Sequence, residues 1–107
     1  MTDDSARVLR RIRFLVRKER VLFTQHANKE MYEDDFSSED VLQALLGGEL
    51  IENYPDHKRG PCSLINGLAV DSRPLHVVCG TGYPELVIIT VYEPKPPKWI
   101  SPIERRR

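Results

Sequence analysis

The sequence has no long apolar run and little cysteine. Its 107 residues contain no apolar stretch near the roughly 18 residues that a membrane-spanning helix needs, so we expect no membrane insertion. The two cysteines, Cys62 and Cys79, belong to no C-x-x-C pair or Cys/His series, which disfavours a zinc site and a disulfide framework. The first residues carry acids ahead of basic residues and no apolar core of a secretory signal, which favours a cytoplasmic location.

The common catalytic motifs are also absent from the sequence. There is no H-E-x-x-H, no glycine-rich phosphate loop, no G-x-S-x-G and no carboxylate cluster at two-metal spacing. The sequence therefore contains no motif typical of proteases, of enzymes that act on nucleoside triphosphates or of metal-dependent nucleases. We expect neither a metal nor a cofactor, and histidine, tyrosine, lysine and arginine remain as the chemically useful residues.

The formal net charge is zero, but the charges are segregated along the chain. Residues 1–20 hold seven basic and three acidic residues, a net charge of +4. Residues 21–56 hold one basic residue and nine acids, a net of −8, and residues 57–107 hold eight basic residues and four acids, again a net of +4. Such a chain can present one basic and one acidic surface, which suit a polyanion and a basic protein respectively.

Three helices are predicted in the first half of the chain. Apolar residues at helical spacing over about residues 5–19 predict an amphipathic helix whose other face is almost all arginine. Thr24 is the expected N-cap of a short second helix that places Ala27 and Met31 on its buried side. Residues 37–40 supply the cap and acidic first turn of a third helix, and a pair of glycines ends it.

Four strands are predicted after the third helix, because short apolar runs alternate there with turn residues. They span Glu49–Tyr54 and residues 62–70, 75–80 and 85–93. Helices followed by a meandering antiparallel sheet of about four strands make an α+β fold with the helices on one face. The predicted organisation is a basic N-terminal helix (residues 1–19), a single α+β domain (residues 20–99) and a basic C-terminal tail (residues 100–107).

The last two strands are expected to form a hairpin, and its loop sets the register. If residues 81–84 form the loop, His76 pairs with Ile89 and Arg73 pairs with Tyr92. A slip of one residue would exchange these partners. This register places Arg73 and Tyr92 together at the open end of the hairpin.

Five residues are candidates for acid/base chemistry and phosphate binding: His76, Tyr92, Arg73, Lys95 and His26. His76 interrupts an apolar run in which a charged imidazole is costly without a partner, so it is either a hydrogen-bonded structural histidine or a catalytic one. His26 lies one helical turn from Glu30 and is either a structural bridge or a further acid/base group. Metal-free RNA cleavage needs a base for the 2′-hydroxyl, an acid for the leaving 5′-oxygen and cations at the phosphate, which these residue types supply.

Two parts of the chain resemble a small bacterial family catalogued as domain of unknown function 4258. The first part is Phe23-Thr24-Gln25-His26-Ala27 with Met31, followed by residues 36–52. The second part is Arg73-Pro74-Leu75-His76-Val77-Val78 and Ile89-Thr90-Val91-Tyr92-Glu93-Pro94, followed by Trp99. The resemblance covers about residues 20–99. Family members often have an arginine after the helix methionine, where this chain has Tyr32 and three acids.

That resemblance implies a fold and a class of function. Such proteins are often encoded beside YgiT-type zinc-finger proteins, the partner class of the MqsR toxin, and are distantly similar to RelE-like toxins, which are metal-independent ribonucleases. It therefore implies a RelE-like arrangement of helices on an antiparallel sheet, with RNA and a zinc-finger antitoxin-like protein as expected partners.

Two functions are consistent with the residues. One is a toxin-like protein that binds RNA and cleaves it without a metal. The alternative is a non-enzymatic module that binds a basic protein through the acidic surface of residues 30–56. Convergence of Arg73, His76, Tyr92 and Lys95 on one concave surface would favour the enzyme, whereas histidines buried on opposite sides of the sheet, without a basic cleft between them, favour the binding module.

Overall fold

The protein consists of three helices packed on one face of a five-stranded sheet, so the predicted α+β class is confirmed. The computed structural model describes residues 3–105; Met1, Thr2, Arg106 and Arg107, which belong to the predicted terminal segments, lie outside the described residues. The helices are α1 (Asp3–Arg17), α2 (Gln25–Glu33) and α3 (Ser38–Gly47). The strands are β1 (Val21–Phe23), β2 (Glu49–Tyr54), β3 (Cys62–Leu68), β4 (Pro74–Gly80), β5 (Leu86–Tyr92), β6 (Trp99–Ser101) and β7 (Glu104–Arg105).

Side-chain caps begin α2 and α3 where the sequence predicts them. The Thr24 hydroxyl accepts a hydrogen bond from the backbone of Ala27 at the start of α2. Ser37 and Asp40 form a reciprocal capping box at the start of α3. The Asp40 carboxylate also accepts a hydrogen bond from the backbone N–H of Val70 at 2.8 Å, so one side chain joins the helix start to the end of β3. None of the helices within residues 3–105 is long and apolar enough to cross a membrane.

The sheet has the order β1-β5-β4-β3-β2 and is mixed. Strands β2 to β5 form the predicted antiparallel meander. Strand β1 was not predicted; it pairs in parallel with β5 through Val21 opposite Leu86 and Phe23 opposite Ile88. Three residues are too short for a periodicity signal, and their partners lie some sixty residues away in the chain.

The predicted register of the β4–β5 hairpin is wrong. His76 pairs with Tyr92 rather than with Ile89, and Gly80 pairs with Val87. The backbone N–H of Leu86 bonds to the carbonyl of Arg20, which draws the beginning of β5 toward β1 and lengthens the connection. The pairing of β4 with β5 also contains a bulge: Val78 pairs with Thr90, but the next residue, Cys79, pairs with Ile88, so the register shifts by one residue.

The two faces of the sheet are covered differently. The apolar core lies between the sheet and the three helices. The opposite face is crossed by residues 94–105, which we call the tail strap and which carries the small β6–β7 hairpin. Trp99 holds the strap down and is only 2 % exposed. The tail strap and the sheet together form the walls of a cleft.

Candidate functional site

A polar cleft of about 440 Å³ lies between the sheet and the tail strap. We call it the strap cleft. Its volume is within the range of small-molecule sites in proteins. It is lined by Glu52, Tyr54, His57, Cys62, Leu64, Val78, Thr90, Tyr92, Lys98 and Arg105.

The floor of the strap cleft follows from strand alternation. Glu52, Leu64, Val78 and Thr90 are successive cross-strand partners on β2, β3, β4 and β5, so their side chains form one row on the same face. Apolar Leu64 and Val78 form the middle of this row. The polar groups that could bind a ligand therefore stand at its two ends and on the strap above it.

His76 and Tyr92 are direct cross-strand neighbours and form a hydrogen-bonded pair. His76 Nε2 lies 2.5 Å from the carbonyl oxygen of Pro102, which can only accept, so Nε2 carries the proton. Nδ1 is then an acceptor, and the Tyr92 hydroxyl donates to it at 3.1 Å. Burial raises the pKa of Tyr92, and a hydrogen bond from the Trp99 side chain opposes this.

His76 is completely buried, and the strap covers it. Its ring makes edge-to-face contacts with Trp99, at 4.4 Å between centroids, and with Tyr92, at 5.2 Å. Burial lowers the pKa of His76, which outweighs the opposing hydrogen bond to Pro102. His76 is consequently a neutral positioning residue for Tyr92 and does not line the cleft, which fits the structural alternative for this histidine; its catalytic role stays a prediction.

Glu52 and Arg105 connect the strap to the edge strand β2. The guanidinium of Arg105 donates two hydrogen bonds to the Glu52 carboxylate, at 2.8 and 3.2 Å, and lies 4.6 Å from the centroid of the Trp99 ring. The hydroxyl of Tyr54 donates to the same carboxylate at 2.6 Å. Burial raises the pKa of Glu52, but the hydrogen bonds from Arg105 and Tyr54 outweigh it and hold that pKa below its ordinary value. Glu52 is therefore ionised at neutral pH.

Lys98 and His57 complete the polar lining. Lys98 is exposed on the strap and its Nζ lies 5.8 Å from the centroid of the Tyr92 ring. His57 lies in the β2–β3 loop, and its Nδ1 accepts a hydrogen bond from the backbone N–H of Arg59 at 3.2 Å. In neutral His57 the proton is then on Nε2, which leaves a donor free. Two cations, one carboxylate, one imidazole and two phenols thus border one cleft.

Arg73, a predicted phosphate-binding residue, lies elsewhere. Its guanidinium donates to the carbonyl oxygens of Asp34 and Asp35 at 2.9 and 2.6 Å, and pairs with Asp71 at 2.9 Å. It also stacks 4.3 Å from the centroid of the Phe36 ring. Arg73 thereby fixes the end of α2 to the start of β4, and the predicted proximity of Arg73 to Tyr92 is wrong because Tyr92 pairs with His76.

His26 and Lys95 also lie outside the strap cleft. His26 Nε2 lies 3.2 Å from Glu30 Oε1, which accepts a hydrogen bond from the backbone N–H of Val91 at 3.0 Å. This chain of contacts holds α2 on the helix-covered face of the sheet, away from His76. Lys95 is exposed on the strap before the cleft begins. Of the five predicted residues, the fold brings together only His76 and Tyr92, although it does place a basic cleft beside them.

Glu52, Tyr54 and Arg105 were not predicted as site residues. The alternation of β2 gives a signal for the first two, because residues 52 and 54 lie two positions apart and share one face of the strand. Arg105 had no local signal, since its position depends on the return of the strap across the sheet. Cys62 also borders the cleft, and burial raises the pKa of its thiol, so it serves there as an apolar wall.

Comparison with known proteins identifies the domain and no more. The family model for a domain of unknown function, DUF4258, matches residues 23–93. No curated protein and no solved structure matches the chain. The match includes the cleft floor with Glu52 and Tyr92, whereas α1 and the tail strap lie outside it.

Proposed function

We propose, for a chain that belongs to the DUF4258 family of domains of unknown function, that the strap cleft binds RNA and cleaves it without a metal ion, as in a toxin of a toxin–antitoxin pair. One observation carries the proposal: a carboxylate, an imidazole and two cations border a single cleft of about 440 Å³. Transfer of the phosphoryl group to the neighbouring 2′-hydroxyl requires a base, an acid and cations, and these groups can supply them.

The roles follow from the state of each group. Ionised Glu52 accepts the proton of the 2′-hydroxyl, whose oxygen bonds to phosphorus, while His57 in its doubly protonated imidazolium form gives its Nε2 proton to the departing 5′-oxygen and becomes neutral. Lys98 and Arg105 stabilise the charge that develops on the phosphate oxygens. The products are a 2′,3′-cyclic phosphate and a 5′-hydroxyl. Because the pKa of Glu52 is lowered, its contribution belongs at the low end of the roughly 10²- to 10⁴-fold usual for proton transfer by a side chain.

Tyr92 is assigned to substrate binding. Its hydroxyl donates to His76, and the lone pair that Trp99 does not contact can accept a hydrogen bond from a ribose hydroxyl. DNA lacks the 2′-hydroxyl whose proton Glu52 accepts, which gives the cleft a reason to select RNA.

The direct test uses the whole purified chain, an end-labelled single-stranded RNA and EDTA. Cleavage should yield a 2′,3′-cyclic phosphate end and should be blocked where a 2′-deoxynucleotide precedes the scissile bond. Lys98→Ala should lower the rate at least tenfold, since one phosphate-stabilising cation is typically worth that much or more. Lys95→Ala is the matched control, because Lys95 is on the same strap but outside the cleft.

His57→Gln and Glu52→Gln should also reduce cleavage, and the RNA-cleaving chain should arrest growth when it is expressed. Intact RNA at large protein excess would contradict the enzymatic proposal. Equal loss of activity in Lys98→Ala and Lys95→Ala would show that the strap as a whole, and not the cleft, is responsible.

A second candidate function is the binding of a basic protein, and one observation favours it. Tyr32 on α2 is 89 % exposed and is followed by Glu33, Asp34 and Asp35. An exposed aromatic among acids suits a cationic partner such as the zinc-finger protein implied by the family resemblance. Titration calorimetry with that protein, comparing Tyr32→Ser with the unchanged chain, would measure it; unchanged affinity would exclude this surface.

A further inference from the structure

The outward face of α1 is a continuous basic surface. No acidic residue occurs between positions 5 and 18. At 100° per residue, Arg7, Arg10, Phe14, Arg17 and Lys18 fall on one side of the helix, opposite the buried apolar stripe. We call these five residues the α1 stripe.

Two other arginines of α1 are used by the fold itself. Arg11 donates to the carbonyl oxygen of Tyr83 at 2.8 Å, and Arg13 donates to that of Gly48 at 2.9 Å. Arg10 and Arg17 have no hydrogen-bond or ion-pair partner within residues 3–105, and both are exposed. The cations of the stripe are therefore separate from those that hold α1 in place.

The acidic middle of the chain does not neutralise the stripe. Within the described part of the chain, the ion pairs of residues 3–20 are Arg7 with Asp4 and Arg20 with Glu85, and all four side chains are exposed. Neither acid belongs to residues 21–56, where the net charge is −8. The positive potential of the stripe thus faces solvent.

Phe14 gives the stripe a second property. Its ring is 51 % exposed in the middle of the stripe, and Lys18 Nζ lies 5.7 Å from its centroid. An exposed aromatic between cations is the arrangement on which unpaired bases stack while the backbone contacts the charges. Arg10 and Arg17 are seven residues apart, about 10 Å along the helix, so they would contact different phosphates.

We propose that the α1 stripe binds single-stranded RNA, with phosphates on Arg10, Arg17 and Lys18 and a base stacked on Phe14. A membrane surface fits less well, because the apolar stripe of α1, including Ile12 at 0 % exposure, is packed in the core and cannot enter lipid. The stripe is separate from the strap cleft, so this binding does not depend on cleavage there.

The experiment measures binding of a fluorescein-labelled 2′-O-methyl RNA of roughly 12 nucleotides, a length typical of single-strand sites. This probe cannot be cleaved by attack of a 2′-hydroxyl, so the result is independent of the proposed reaction. Fluorescence anisotropy is recorded between ~50 and ~200 mM salt for the whole chain. Removal of one cation that binds a phosphate should reduce the slope of log affinity against log salt by about 0.7, or affinity by about fivefold at ~0.1 M salt.

Arg10→Ala/Arg17→Ala should therefore lower the slope by about 1.4 and weaken binding roughly 25-fold at ~0.1 M salt. Lys29→Ala/Lys95→Ala is the control with the same change of charge at two exposed lysines elsewhere. Phe14→Ala should weaken binding about fivefold or more without changing the slope, since stacking releases no counterions.

Equal slopes for the stripe double variant and the lysine double variant would overturn the proposal. So would tighter binding to phosphatidylglycerol vesicles than to RNA with the same dependence on Phe14, which would make the stripe a membrane surface. Thermal melting of each variant confirms that it folds; all substituted positions are exposed, and alanine is a good helix former.

Discussion

Acidification should destabilise the protein well before its carboxylates titrate, and the cause is His76. Its imidazole is 0 % exposed and neutral, and burial lowers its pKa below the ordinary value of 6.5. Smaller influences oppose one another: Pro102 and Glu52 raise this pKa, while Arg105 and Lys98 lower it. In the unfolded chain the same histidine is free to take up a proton near pH 6.5.

The direction and the size of the change in the free energy of unfolding with pH follow from proton linkage. Below pH 6.5 the unfolded state binds a proton that the folded state resists, so the free energy of unfolding decreases as the pH decreases. One such group changes it by at most about 1.4 kcal/mol per pH unit. This stability is fully present above pH 6.5 and is lost as the pH falls toward the lowered pKa of the folded state. The free energy of unfolding of a typical domain is about 5–15 kcal/mol, so a loss of about 1.4 kcal/mol over one pH unit is readily measured.

Trp99 provides the assay, because it is the only tryptophan and its ring contacts His76. Urea unfolding followed by Trp99 emission, at pH values from about 7.5 to 5, gives the slope directly. His76→Phe should remove most of the slope between about pH 6.5 and 5.5 while keeping an aromatic ring beside Trp99. His26→Gln should retain the slope, since His26 is exposed and belongs to another face.

An identical pH slope in His76→Phe and in the unchanged chain would refute this reasoning. If His76→Phe does not fold, proton NMR of the unchanged chain decides the matter through the titration of the His76 ring. A midpoint at or above 6.5 would contradict the burial argument.

Two further substitutions test how the helices are held. Asp40→Ala should cost about 2–4 kcal/mol at pH 7 by urea unfolding, because it leaves two backbone N–H groups without their acceptor; Glu39→Ala, exposed in the same turn, should change stability by less than about 0.5 kcal/mol. The Asp40→Ala cost should shrink as the pH falls below 3.8, since the pKa of Asp40 is lowered, chiefly by its hydrogen bond from Ser37, and protonation removes the advantage of the charge; an undiminished cost would contradict it. Gly67→Ala should destabilise by about 1–3 kcal/mol or more, because its Cβ would overlap the backbone oxygen of Ala44 in α3. Gly47→Ala, with open space at the Cβ, should be neutral or stabilising, and a similar loss in both glycine variants would refute the packing argument.

Local patterns predicted the helices and the meander correctly because each was encoded by nearby residues. The apolar spacing of α1, the capping box of Ser37 and Asp40, and the alternating strands required no knowledge of distant contacts. Strand β1 and the hairpin register failed for the opposite reason. Both depend on Leu86, whose backbone bonds to Arg20 across the molecule.

The candidate site was predicted only in part, and its errors share a cause. His76 and Tyr92 were chosen for their chemistry, but only the corrected register makes them partners. Arg73 was chosen because it precedes β4, yet the backbone carbonyls at the end of α2 and the ring of Phe36 bind it outside the strap cleft. Residue type and spacing identify reactive groups, but the position of a long side chain is decided by acceptors that are distant in sequence.

Only part of the strap cleft lies within residues 23–93, the range that the family model matches. Glu52, Tyr54 and Tyr92 stand on strands inside the matched range, whereas Lys98 and Arg105 are on the tail strap beyond it. Without the strap, the carboxylate of Glu52 would lose the two hydrogen bonds from Arg105, its pKa would rise, and the cleft would contain no lysine or arginine. The matched range of this chain therefore supplies a carboxylate and phenols, and the lysine and arginine that the proposed phosphate binding needs come from its strap. The proposed activity on RNA should accordingly be lost when the strap is removed from this chain, even though the matched range remains intact.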